Sequence, residues 1–194
     1  MVYLSLDMRD ERLRAKLEWK LPQKRLELLH CPRCELTWGD FRYRLVTDHN
    51  RIEILHADDG GGEPILGGLQ GSGFPTCGLT FQPLPLRIQE LYQIKRNERR
   101  LTKDEIAEVA AVTGDYANSN VGAYPVLNSQ CQLFGFPYLH QDADVRLTTD
   151  ERPMQFLACF SWYSKAPFAI LPDGVQMLFW YDPPSGELLA ETYI

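Results

Sequence analysis

The first third of the chain alternates apolar and polar positions at a period of two. Phe41, Tyr43 and Leu45 alternate with Arg42 and Arg44, which is the pattern of a strand with one buried face. Other short runs have a similar β-forming composition, and a polar triplet, Asp-His-Asn, separates two of them as a turn would. The pattern predicts strands over residues 2–6, 25–30, 37–46 and 51–56.

The middle of the chain changes to a helical period. Ile88, Leu91 and Tyr92 recur at spacings of three and four and predict an amphipathic helix that runs to about residue 100. Thr102 followed by Glu105 has the spacing of a capping box, in which each side chain satisfies a free backbone N–H of the other residue. A second helix is therefore predicted to start after Thr102 and to end near residue 114.

The last third returns to strands. Two aromatic and apolar runs, residues 154–162 and 175–181, have the length and composition of strands. The sequence Asp-Pro-Pro-Ser-Gly at 182–186 predicts a turn, and residues 187–194 are expected to pair back as a hairpin strand.

These elements predict an α+β fold dominated by antiparallel sheet, with one or two helices in the middle. We expect a β region like a degenerate zinc ribbon over residues 1–86, a helical segment over 87–114 and a β-rich region over 115–194. The three regions are expected to form either separate domains or a single domain.

The composition is that of a folded, soluble protein. The 194 residues are 44% hydrophobic and 24% charged. No stretch approaches the roughly 20 apolar residues that cross a bilayer. The first 14 residues are charged and contain no apolar signal core, and five cysteines do not suggest a disulfide framework. We therefore expect a cytoplasmic protein that does not bind membranes.

Charge is distributed unevenly along the chain. Residues 1–105 carry 17 basic and 16 acidic side chains, whereas residues 106–194 carry 3 basic and 10 acidic ones. A nucleic-acid-binding protein needs a basic surface, so this distribution argues against general nucleic-acid binding. An acidic half is compatible with a basic protein partner, because complementary fields steer association.

A candidate metal site is indicated by the cysteines of the first half. Cys31 and Cys34 have the C-x-x-C spacing with which two thiolates grip one metal ion from a tight turn. The residue after this pair is Glu35, where a small residue is usual. A second, similar turn ends at Cys77, with Phe74 in the place of its first cysteine.

The predicted ligands of a structural zinc ion are Cys31, Cys34, Cys77 and a histidine. His49 is the expected fourth ligand, and His30 and His56 are alternatives. Two other interpretations remain open at this point. The hairpin could be held by packing alone, because a free cysteine behaves as a small hydrophobic residue, or the C-x-x-C pair could be redox-active.

No catalytic motif is present in the sequence. The chain contains neither the HExxH pattern of metal hydrolases nor the Gly-x-Ser-x-Gly turn of serine hydrolases. Cys159 lies inside an apolar run, where burial suppresses the reactivity of a thiol, so we expect it in the core. No residue is therefore assigned a catalytic role.

Two family resemblances complete the sequence evidence. Phe134-Gly-Phe-Pro-Tyr138 with Gln141, the run Met154–Ala158, and the motifs Asp-Gly at 173–174 and Met-Leu-Phe-Trp at 177–180 resemble the YwqG-like (DUF1963) family over residues 130–182. Cys159 stands where that family has glutamine. The segment 31–38, CPRCELTW, is similar to the first knuckle of bacterial double-CxxCG proteins.

The first resemblance implies a mostly β protein from bacteria without established enzyme chemistry, related to domains found near toxin systems. The expected function is therefore protein binding, in the specific form of an immunity or antitoxin protein that neutralises a cognate toxin. Aromatic residues dominate binding hot spots, which nominates Trp162, Tyr163, Trp180 and Tyr181 as interface residues, with core packing expected for at least half of them. The alternatives are a zinc-ribbon module that binds nucleic acid or its machinery, and an unrecognised enzyme.

Overall fold

A computed structural model describes residues 2–30, 40–46, 51–58, 83–93, 101–113, 132–134, 146–161 and 176–193. Its strands are β1 (Val2–Asp7), β2 (Arg25–Leu29), β3 (Asp40–Val46), β4 (Arg51–Ala57), β5 (Gln132–Leu133), β6 (Gln155–Ser161), β7 (Gln176–Asp182) and β8 (Glu187–Tyr193). Its helices are α1 (Glu11–Lys16), α2 (Leu86–Gln93) and α3 (Lys103–Thr113).

The strands form two antiparallel sheets. β1 pairs with β2, and the remaining strands form a six-stranded sheet in the order β4-β3-β8-β7-β6-β5. β3 pairs with β8, with Phe41 opposite Ala190 and Tyr43 opposite Leu188. Strands from the first and last thirds of the chain therefore share one sheet.

This pairing corrects one feature of the predicted fold. The mainly antiparallel β architecture with a few helices is confirmed, and the predicted strands lie within a few residues of the observed ones. A separate zinc-ribbon hairpin is not shown, because β3 and β4 belong to the six-stranded sheet through the β3–β8 pairing.

One face of the six-stranded sheet is covered by the β1–β2 sheet and α1. Phe41, Tyr43 and Leu45 on β3 are buried on this face, as their alternation predicts. The fully buried Tyr43 hydroxyl accepts a hydrogen bond from the Leu29 N–H (2.9 Å) and donates one to the Glu27 carbonyl (3.0 Å). The covering layer contributes Leu6, Met8, Leu17, Trp19, Leu26 and Leu28 to the core.

The opposite face carries a smaller apolar cluster. Residues 146–154, which we call the 146–154 loop, fold back as a bridge between Leu147 and Pro153 and end with a hydrogen bond from the Met154 N–H to the Arg146 carbonyl (2.8 Å). The cluster contains Met154, Cys159, Leu178, Trp180 and Leu189.

The turn between β7 and β8 requires a glycine. Gly186 has a positive φ of 69°, which residues with a Cβ rarely adopt. Its N–H donates to the Asp182 carbonyl (2.9 Å), and the Ser185 N–H donates to the Asp182 carboxylate (3.1 Å). The predicted turn at 182–186 is therefore confirmed.

The two central helices pack on each other. Thr102 and Glu105 form the predicted capping box, since the Glu105 N–H donates to Thr102 Oγ1 (3.2 Å) and the Thr102 N–H donates to Glu105 Oε2 (2.9 Å). The helices share an apolar cluster with buried members Ile88, Leu91, Leu101 and Val109.

Candidate functional site

Among the side chains whose burial is described, those of β4, at one end of the six-stranded sheet, form the most exposed strand. Its described neighbour is β3, and its other side, which we call the β4 edge (residues 51–57), faces away from the sheet. Every β4 side chain is exposed except that of Leu55, which is half-buried. An edge strand presents backbone N–H and C=O groups on which another strand can add.

Two large apolar side chains are exposed along this strand. Ile54 is 63% exposed and Ile52 is 38% exposed. The register places Ile52 opposite Leu45 and Ile54 opposite Tyr43, so both isoleucines lie on the face that is buried elsewhere in the sheet. The covering layer that buries the β3 side chains leaves these two exposed.

The β4 edge also carries alternating charges on its other face. Glu53 lies opposite Arg44, with 3.8 Å between Arg44 Nη1 and Glu53 Oε2. Arg51 lies two residues away on the same strand and is exposed. Because residues two apart on a strand point to the same side, one face of β4 presents a positive and a negative charge beside each other.

The carboxylate of Asp58, just after β4, binds the start of β3. Asp58 Oδ2 accepts a hydrogen bond from the Asp40 N–H (2.8 Å), and His56 Nε2 lies 2.8 Å from Asp58 Oδ1. The Asp40 hydrogen bond, followed by the one from His56, lowers the pKa of the Asp58 carboxyl below its ordinary value. His56 is therefore engaged at the surface by Asp58.

A second polar constellation lies on the other face of the sheet, around Glu187. This carboxylate is fully buried and lies 3.3 Å from Arg42 Nη1 and 3.9 Å from Arg44 Nη2. It also accepts hydrogen bonds from the Thr149 N–H (3.0 Å) and hydroxyl (2.9 Å). Glu187 therefore links β3 and β8 to the 146–154 loop.

Two further carboxylates hold the same loop. Glu191 accepts hydrogen bonds from Arg146 Nε (2.8 Å) and from the Trp180 indole N–H (2.7 Å). Burial raises the pKa of Glu191, and these two donors only partly oppose the rise. Asp182, also buried, lies 2.9 Å from Arg152 Nη2.

The burial of these carboxylates changes how the negative charge of the C-terminal half is interpreted. Asp182, Glu187 and Glu191 are buried beside arginines, so these carboxylates join the 146–154 loop to the sheet and contribute little to a surface field. Glu108, Asp150 and Glu151 are exposed.

A cavity of about 210 Å³ lies between α1 and the β6–β7 pair. The Tyr181 ring lines it, but the Tyr181 hydroxyl is closed off from water and has no hydrogen-bond partner. The described lining contains no His, Cys, Asp or Glu side chain and so offers no acid, base or metal ligand of these types. The lining residues are Lys16, Leu17, Phe134, Gln155, Phe156, Leu157 and Tyr181.

The aromatic residues nominated as an interface divide into two groups. Trp180 is 7% exposed and Tyr181 is 1% exposed, so both rings are packed in the core of this structure. Trp180 packs edge-on against Phe156, and Tyr181 lies beside Trp19. Trp162 and Tyr163 lie outside the described residues.

Among the residues considered as metal ligands, the structure describes only the two alternative histidines, His30 and His56. His30 is buried, and burial lowers its pKa to about 4, so it is neutral at neutral pH. Cys159 is buried in the core, as expected. In the part of the chain that the structure describes, no group of three or more His, Cys, Asp or Glu side chains could hold a metal ion. The ligands Cys31, Cys34, His49 and Cys77 lie outside it.

No family model, curated protein or solved structure matches this chain. The resemblances to the YwqG-like and double-CxxCG families therefore stay predictions. No described helix is long and apolar enough to span a membrane.

Sequence reasoning missed the residues that matter most at the candidate site, Ile52 and Ile54. The composition of residues 51–56 predicted a strand but not its position at the end of a sheet. The available signal was the mixture of charged and apolar residues, since edge strands carry charges more often than central ones.

Proposed function

We propose that this chain is a non-enzymatic protein-binding protein that takes up an extended segment of its partner along the β4 edge. The observation that carries the proposal is the exposure of every β4 side chain except that of Leu55, with Ile54 63% exposed. In its specific form, the proposal is an immunity or antitoxin protein that neutralises a cognate toxin by direct binding.

Strand addition fits the chemistry of this edge. A partner strand would gain backbone hydrogen bonds, each worth about 0.5–1.5 kcal/mol net, along the side of β4 that faces away from β3. Its apolar side chains would lie beside Ile52 and Ile54, which are exposed on one face of the strand. Backbone pairing would supply affinity, and these alternate side chains would supply specificity.

Net charge supports a partner of opposite sign. The chain carries a formal charge of −6. The C-terminal half exposes the carboxylates of Glu108, Asp150 and Glu151, of which Glu108 lies 3.7 Å from Arg87 and Asp150 lies 3.8 Å from Arg152. Such charges would accelerate encounter more than they would strengthen the final complex.

The experiment that tests the proposal is affinity capture of the tagged full chain from its native cells, performed in parallel with two variants. Ile54→Lys places a charge on the β4 edge, and Leu86→Lys places one on α2, where Leu86 is 70% exposed. We expect one protein to be retained near one-to-one stoichiometry by the unmodified chain and by Leu86→Lys, and to be lost by Ile54→Lys. Equal retention by both variants would refute binding at the β4 edge.

The immunity role needs a second readout. Expression of the captured protein alone should stop cell growth, and co-expression of this chain should restore it. Co-expression of Ile54→Lys should fail to restore growth at equal protein level. A captured protein that is harmless to cells would leave protein binding standing and would exclude the immunity role.

A structural zinc ion is a further proposal for the same protein. Its ligands would be Cys31, Cys34, Cys77 and His49, the four residues that the sequence nominates. Metal analysis of the purified chain tests it: about one zinc per chain, lost in Cys34→Ser, would support the proposal, and a metal-free folded chain would refute it.

A further inference from the structure

We infer that a second copy of this chain occupies the β4 edge when no partner is bound, with β4 of the two copies paired antiparallel about a two-fold axis at Ile52. The inference uses the same edge as the proposed function and adds a specific occupant. The dimer would be the resting form, and partner binding would displace one copy.

Charge complementarity selects the second copy. In an antiparallel pair with a two-fold axis at residue 52, residue 51 of each chain lies opposite residue 53 of the other. Arg51 would then face Glu53 of the partner subunit, and Glu53 would face the partner's Arg51. Opposite charges directly across an antiparallel pair are favourable. Glu53 keeps its Arg44 neighbour at 3.8 Å, so the charges would continue across the seam.

The apolar face is complementary in the same register. Ile52 of one copy would lie opposite Ile52 of the partner subunit. Ile54 would lie diagonally across the pair from that same Ile52 of the partner subunit. Diagonal side chains lie about 7–8 Å apart and remain within reach of each other. The four isoleucines would form one cluster and cover the apolar surface that each chain exposes alone, 38% of Ile52 and 63% of Ile54.

The neighbouring register is disfavoured. A two-fold axis at residue 53 would place Glu53 directly against Glu53 of the partner subunit, and like charges at such positions are destabilising. The axis at Ile52 replaces this repulsion with two favourable charge pairs.

Self-pairing would also protect the exposed β4 edge from uncontrolled pairing with other chains. Natural proteins protect exposed edge strands with charged residues, especially lysine, or with proline, bulges or a covering element. The sequence of β4, RIEILHA, contains neither proline nor lysine, and the register shift against β3 lies towards its end, opposite the step from Arg42 to Tyr43. With the axis at Ile52, residues 51–53 of the two copies lie opposite each other, within the regular part of the strand.

The test is sedimentation velocity of the full chain over a range of concentrations, with charge-reversal variants. We expect a concentration-dependent dimer for the unmodified chain. Arg51→Glu alone and Glu53→Arg alone should each dimerise at least about tenfold more weakly, because each creates two like-charge pairs across the seam. An equimolar mixture of the two variants should dimerise again, because the two glutamates of one variant would then face the two arginines of the other.

Two outcomes would overturn the inference: an unmodified chain that stays monomeric at every concentration, or a mixture of folded variants that stays monomeric. Circular dichroism of each variant establishes that it is folded, and Leu86→Lys, which should dimerise normally, controls for an added surface charge. A monomer that still captures a partner through β4 would refute self-pairing and leave the proposed function intact. A dimer that captures no partner protein would support self-pairing and refute the proposed function.

Discussion

The Tyr43 hydroxyl accepts a hydrogen bond from the backbone N–H of Leu29 at 2.9 Å, and this contact joins the two sheets of the protein. Tyr43 lies on β3, next to the candidate strand β4, whereas Leu29 ends β2 in the covering layer. The same hydroxyl donates to the Glu27 carbonyl at 3.0 Å. This buried side chain therefore joins β3 to the covering layer. The apolar side chains of β3 lie under that layer and are buried, whereas Ile52 and Ile54 on β4 lie beyond it and are exposed.

Replacing Tyr43 with Phe should destabilise the fold. The variant leaves the Leu29 N–H and the Glu27 carbonyl without their partner, which should lower the free energy of unfolding by about 1–3 kcal/mol. Tyr181→Phe is the matched control, because its buried hydroxyl has no hydrogen-bond partner to lose. Urea denaturation should show little loss, or a gain, for the control. Equal losses in both variants would contradict this account.

The Glu187→Gln variant tests the buried charge network. It removes the counter-charge that Arg42 and Arg44 share, but Arg42 keeps Asp40 at 3.2 Å and Arg44 keeps Glu53 at 3.8 Å, so the free energy of unfolding should fall by about 1–3 kcal/mol. Asp150→Asn removes a carboxylate that is 67% exposed and 3.8 Å from Arg152, and should change stability by less than about 0.5 kcal/mol. Thermal and urea unfolding of both variants measure the difference, and a small effect at Glu187 would show that the network is dispensable.

The raised pKa of Glu191 predicts a specific pH dependence. Burial disfavours the charged form, so the folded state holds this proton at pH values where the unfolded state has released it. Measured as the difference from Glu191→Gln, which does not titrate, the unfolding free energy should decrease as the pH rises from the ordinary glutamate pKa of 4.5 through the raised one. An increase over this range would show that Arg146 and Trp180 outweigh burial.

The local parts of the fold were predictable because short-range chemistry encodes them. The alternation of Phe41, Tyr43 and Leu45 indicated a strand, and the spacing of Thr102 and Glu105 indicated a helix start that the hydrogen bonds confirm. These patterns depend on residues within a few positions of each other.

Pairing and exposure were not predictable in the same way. The contact of β3 with β8 joins Phe41 to Ala190, and no local pattern specifies which distant strands pair. Trp180 and Tyr181 have the composition of an interface, but neighbouring strands bury both. Ile52 and Ile54 have the composition of a core, but they lie beyond the covering layer and are exposed.

The β4 edge should also determine solubility. Ile54→Lys adds the residue type that protects natural edge strands, so it should reduce aggregation of the isolated chain at high concentration. Light scattering over time compares this variant with the unmodified chain and with Leu86→Lys. Greater aggregation of Ile54→Lys would indicate that the isoleucine is needed for folding.

Hydrogen–deuterium exchange of the chain, alone at a concentration at which it is monomeric and with the captured partner, tests the central claim most directly. Strand addition along the β4 edge predicts that backbone amides of residues 51–57 exchange more slowly in the complex, because those facing away from β3 acquire hydrogen-bond partners. The helices α2 and α3 should exchange at unchanged rates. Protection that appears elsewhere while residues 51–57 exchange as in the free chain would contradict the account.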